Sequence, residues 1–100
     1  MPTYKDLKVG DKIIITSITE SEIEYQKSIG MDKKYDEDGM ATTLEVLHQL
    51  IDTKKVLTIY EVDEWGYPWY EYMYKRDDGK LEDHSLAVLH DDTFIYANNV

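Results

Sequence analysis

From Val56 to Val88 the chain carries apolar and polar positions in the two-residue rhythm of strands. Val56, Thr58, Tyr60 and Val62 fall on one face of the first run, and Leu57, Ile59 and Glu61 on the other. Asp63–Pro68 has turn chemistry, after which a second strand alternates Trp69, Glu71 and Met73 with Tyr70, Tyr72 and Tyr74. Asp77 to Lys80 supplies a hairpin turn, because Asp78 and Gly79 both reach positive φ at small cost. A two-residue loop there sets Lys75 opposite Glu82 and Tyr74 opposite Asp83, and the first is an opposite-charge cross-strand pair.

The N-terminal half mixes two periods. Lys8–Ile18 reads as a strand, with a turn at Gly10 and Asp11 and a β-branched run at Ile13–Ile15. Thr19 opens a helix over about 20–29. Thr19 and Glu22 form a capping box, Ile18 and Ile23 a hydrophobic staple, acids stand at 20, 22 and 24, and Gly30 suits the C′ position. Met31–Gly39 is a charged loop. In Thr42–Asp52 a helical wheel gathers Leu44, Val46, Leu47, Leu50 and Ile51 opposite Glu45, His48, Gln49 and Asp52, which favours a helix. The paired threonines, the short turn at Asp52–Lys55 and the need for a partner to Val56–Val62 favour a hairpin instead, so the expectation is a strand. Asp91 and Asp92 make a last turn, and Thr93–Ala97 a last strand.

The opening Lys8 to Ile13 (KVGDKI) resembles the first strand of SH3-like small barrels, a resemblance confined to those positions and carrying no site. The fold expected is mostly β or α+β. Five to six antiparallel strands form a strongly bent sheet or SH3-like barrel, with one short helix (about 20–29) after the first strand, all in a single domain 1–100.

Composition narrows the setting. At 42% hydrophobic the chain has the material for a core, yet its net charge is −10. The absence of cysteine excludes disulfides and thiolate chemistry, no apolar run approaches the ~18 residues of a membrane span, and no secretory h-region is visible. A cytoplasmic protein is expected.

Several constellations invite chemistry. Asp36, Asp38, Gly39 and Glu45 match calcium-loop positions, but Lys34 stands where the first carboxylate belongs, and a solvated acidic loop is the better reading. His84, His90, Asp91 and Asp92 match no zinc spacing. No nucleophile elbow, phosphate-binding glycine loop or metalloprotease helix motif occurs, so neither catalysis nor a cofactor is expected.

Seven of the twelve aromatics lie between Tyr60 and Tyr74, an arrangement that elsewhere stacks single-stranded nucleic acid. Here they are interleaved with Glu61, Asp63, Glu64, Glu71, Asp77 and Asp78, which would repel phosphates, so direct nucleic-acid binding is disfavoured. The inverse fits better: an acidic, non-catalytic module, inhibitor or adaptor, docking on a basic surface of a nucleic-acid-handling protein and imitating its phosphate path. The binding residues expected are Trp65, Tyr67, Tyr70, Tyr72, Tyr74, Glu61, Asp63, Glu64, Asp77 and Asp78. The simpler account is acidity for solubility, with Tyr70, Tyr72 and Tyr74 covered by the 20–29 helix. Alternatives are a small enzyme or ligand binder with a pocket near Trp65–Trp69, and a subunit that self-associates through its aromatic face.

Overall fold

The computed structural model describes residues 3–89 and 93–97. Five antiparallel strands form one sheet: β1 (Lys12–Ser17), β2 (Leu57–Val62), β3 (Pro68–Lys75), β4 (Leu81–Ala87) and β5 (Thr93–Tyr96). Their spatial order is β4-β3-β2-β1-β5. The start of β2 pairs with β1 through Leu57 and Thr58, and the rest pairs with β3 from Ile59 onward. A register shift at Ile59/Glu61 accompanies this change of partner, and another interrupts the β1–β5 ladder at Ile15/Ser17, as expected where bulges bend a strand. The expected antiparallel, mostly β to α+β class is the one observed.

Two helices, not one, lie between β1 and β2: α1 (Glu20–Ser28) and α2 (Thr43–Asp52). In α1 the Thr19 hydroxyl accepts from the Glu22 amide at 3.2 Å, while the Glu22 carboxylate accepts from Gln26. Gly30 follows at φ 75°, the left-handed C′ geometry its position demands. Of α1, only Gln26 is buried.

The strand expected at Thr42–Asp52 is α2. Leu44, Val46, Leu47 and Leu50 bury the apolar stripe, and Thr42 caps it by accepting from the Glu45 amide at 3.4 Å. The partner that β2 needs comes from β1 and β3, so this segment is free to follow its helical period. The core joins Ile13 and Ile15 of β1, Leu57 and Ile59 of β2, Tyr70, Tyr72 and Tyr74 of β3, Val88, Phe94 and the α2 stripe. Leu7, ahead of β1, is buried among them.

The β3–β4 hairpin also differs from expectation. Lys75 pairs with Leu81, and Tyr74 with Glu82, one position from the predicted register. The turn is larger than two residues: the Arg76 amide donates to the Lys80 carbonyl, and the Gly79 amide to the Arg76 carbonyl, with Gly79 at φ 86°. That is a type I turn closed by a glycine bulge. The same pattern recurs at Asp36–Met40, around Gly39, and at Asp63–Tyr67, around Gly66. The expected turn at Asp91 and Asp92 lies outside the described residues. Among those described, no helix is long and apolar enough to cross a membrane.

Candidate functional site

Asp63 builds one end of the sheet. Its Oδ1 accepts from the Trp65 amide at 3.0 Å and the Tyr67 amide at 2.8 Å, and its Oδ2 from Trp69 Nε1 at 2.9 Å. The Trp69 indole first, then the Tyr67, Trp65 and Gly66 amides, outweigh desolvation and hold the carboxyl below the ordinary carboxylate range. A fixed turn results, and it projects Trp65 at 73% exposure, the most open large apolar side chain described. Tyr67 is half-buried because Tyr4 stacks on it, with ring centroids 5.1 Å apart. Glu61 and Glu64 are exposed beside this turn.

Next to it opens a cleft of about 330 Å³. It is lined by Tyr67 and Trp69, by Leu47 of α2 and Tyr70, and by Leu86 of β4 and Leu89. The expected pocket near Trp65–Trp69 therefore has a physical counterpart, although Trp65 itself does not line it.

Three of the expected contact residues are core residues. Tyr70, Tyr72 and Tyr74 are 0%, 5% and 1% exposed, beneath α2 and not the 20–29 helix. Tyr72 donates to Gln49 Oε1 at 2.6 Å, and Tyr74 to Glu45 Oε1 at 3.0 Å. Burial first, then contacts with Tyr35 and Glu45, push the Tyr74 phenol well above its usual value. The opposite strand phase, with Glu71 and Met73, faces out.

Asp77 and Asp78 are exposed, but at the other end of β3, about 25 Å from the Asp63 turn at ~3.4 Å per residue. Asp77 pairs with Lys34 at 2.8 Å and Asp78 with Arg76 at 3.4 Å. The structure thus brings together Glu61, Asp63, Glu64, Trp65 and Tyr67 and leaves Asp77 and Asp78 apart.

One polar cluster brings together residues that the sequence did not connect. Glu82 is 7% exposed and accepts from the Ala41 amide at 3.1 Å, while Arg76 donates to its second oxygen and His84 Nε2 lies 2.8 Å from the first. Burial alone would raise the Glu82 carboxyl, but His84, the Ala41 amide and Arg76 together hold it low. Arg76 also reaches the Gly39 carbonyl, so the pair ties the charged loop to the sheet. Had Glu82 faced Lys75, as the two-residue turn implied, it would lie on the outer face; the bulged turn brings it inside beside Tyr74.

The calcium-like loop spends its groups locally. Asp36 accepts from the Asp38 and Met40 amides, Lys34 pairs with Asp77, and Glu45 receives Tyr74. His90, Asp91 and Asp92 lie outside the described residues; among those described, no group of three or more His, Asp or Glu is placed to hold a metal ion.

No protein-family model, curated protein or solved structure matches the chain.

Proposed function

We propose that this chain is a non-catalytic protein-binding module that docks on a basic surface of a nucleic-acid-handling protein. The observation that carries this reading is Trp65. A tryptophan held 73% open by an Asp63-organised turn has the character of an interface anchor, since aromatic side chains bury much area at little entropic cost. The surroundings favour a cationic partner: Val56–Tyr74 contains Glu61, Asp63, Glu64 and Glu71 and no lysine or arginine.

The test is kinetic. With a partner captured from the native host, the on-rate should fall steeply with ionic strength, because at ~0.15 M dispersed surface charges are screened beyond about 8 Å and act collectively. Glu64→Lys should mainly lower the on-rate. Trp65→Ala should raise the off-rate and cost about 2 kcal/mol or more. The partner's nucleic acid should compete, and simultaneous binding of both removes the mimicry. A salt-independent on-rate, with Trp65→Ala binding as well as the wild type, overturns the whole proposal.

A second reading has one observation of its own. The cleft beside Trp69 reaches the volume of small-molecule sites, and a metabolite retained in native mass spectrometry and lost on filling the cleft would establish it.

A further inference from the structure

β4 is an edge strand, and the hydrogen-bond phase of its hairpin shows which of its groups face outward. The Arg76 amide bonds to the Lys80 carbonyl, and the Val88 amide to the Pro68 carbonyl, both at 2.8 Å. Bonded pairs alternate along an antiparallel ladder, so 74/82, 72/84 and 70/86 are bonded as well. Leu81, Asp83, Ser85 and Ala87 therefore turn their N–H and C=O groups away from β3. Among the described residues no backbone hydrogen bond reaches those groups. The opposite edge, β5, is shorter: Thr93–Tyr96 against Leu81–Ala87.

The cleft adjoins this open edge. Ser85, Leu86 and Ala87 form part of its wall, with Leu89 beyond them. A strand laid along β4 would carry alternate side chains toward the cleft, where Leu47, Trp69 and Leu86 offer apolar contact.

Charge decides the occupant. No lysine or arginine follows Lys80, whereas Asp83 lies on the edge itself, and Glu71 on β3 pairs with Ser85. A second copy would set one acidic segment against another, and like charges across a strand pair are destabilising. A cationic segment meets the complementary field.

We infer that β4 accepts an extended basic polypeptide segment as a sixth strand, with one apolar side chain of that segment seated in the cleft bounded by Leu47, Trp69, Leu86 and Leu89. The mode is strand addition: backbone pairing supplies affinity, and the cleft and the carboxylates supply selectivity. It rests on the proposed docking function and specifies its partner as an extended basic segment and its surface as the β4 edge.

The experiment titrates the ¹⁵N-labelled full chain with the blocked peptide Lys-Val-Lys-Leu-Lys-Val-Lys. The amides of Asp83, Ser85 and Ala87 should shift and gain at least about tenfold protection from hydrogen exchange. A peptide with alternate nitrogens methylated should lose this effect, as should one with glutamate in place of lysine. Ser85→Pro should weaken binding about tenfold or more, because it removes an outward donor that β3 does not use. The methylated peptide keeps the test valid if that variant does not fold.

Salt-dependent peptide binding that leaves the β4 amides unchanged overturns the strand addition but leaves the docking function standing. Protection that grows with protein concentration alone makes a second copy the occupant and also overturns it. Absence of any peptide binding overturns it too, and the docking function is then judged separately by the Trp65→Ala kinetics.

Discussion

At the scale of single residues, side-chain groups in this fold stand in for backbone partners that the strands lack. Gln49 is the clearest case: its Nε2 donates to the Lys75 carbonyl at 2.9 Å and its Oε1 accepts from the Lys75 amide at 2.9 Å. An amide side chain on α2 thereby pairs the last residue of β3. Glu82 performs the equivalent service for Ala41, and its charge gives it a testable signature. A carboxylate whose folded-state pKa is depressed contributes stability above its ordinary value, here 4.5, and loses it as the pH falls through the lower folded value. Asp63, Asp77 and Asp78 are shifted in the same direction. Glu82→Gln should therefore lower stability at pH 7, by removing the buried charge that Arg76 and His84 contact. It should also flatten, but not abolish, the loss of stability in acid. Urea midpoints at pH 7 and below 4 measure both effects; an unchanged midpoint at pH 7 would show the pair contributes nothing.

At the scale of elements, α1 and α2 share their end chemistry but divide in burial. Each has a threonine cap, Thr19 or Thr42, and a left-handed residue past its end, Gly30 or Lys54, yet α1 contributes one buried residue, and Tyr25 and Ile29 remain 58% and 49% exposed. α2 contributes four buried residues and the roof over the tyrosines. Because packing and not end chemistry dominates the stability of short helices, α1 amides should exchange with solvent much faster than those of Val46–Leu50. Thr19→Ala should remove the remaining α1 protection without altering that of the sheet, a pattern that hydrogen-exchange NMR reads directly. The same division explains what was legible beforehand. Local chemistry located α1 to within a residue, and strict alternation located β2 and β3. For α2 the periodicity pointed the right way, and a tertiary argument about strand partners overrode it. The phase of β3 could not be read locally, since Trp69 and Met73 are as apolar as the tyrosines, and only the covering helix decides which set turns inward. The hairpin register failed by one position because an Asp-Gly pair serves a two-residue turn and a bulged turn equally well. Glu82 was therefore expected on the outer face opposite Lys75, and not inside beside Tyr74.

Across the whole molecule, charge and topology are both unevenly distributed. All eleven lysines and arginines lie between Lys5 and Lys55 or between Lys75 and Lys80. The acidic character of the segment around β3 was therefore visible in composition, whereas its division into a Trp65 end and an ion-paired Asp77–Asp78 end required the fold. The topology has a consequence in time. β2, β3 and β4 pair with near neighbours along the chain, as Ile59 does with Tyr70, but Ile13 pairs with Tyr96, 83 positions further on. Closing the longer loop first would cost about 2 kcal/mol more in chain entropy than closing the shorter one. The meander should therefore assemble early and β5 dock last, after the rate-limiting barrier. Ile59→Val and Phe94→Leu, each removing about 1 kcal/mol or more of stability, should then separate on a chevron plot. The first should slow folding, and the second should leave folding unchanged and speed unfolding. Refolding slowed as much by Phe94→Leu as by Ile59→Val would mean that the two ends of the chain meet before the barrier is crossed.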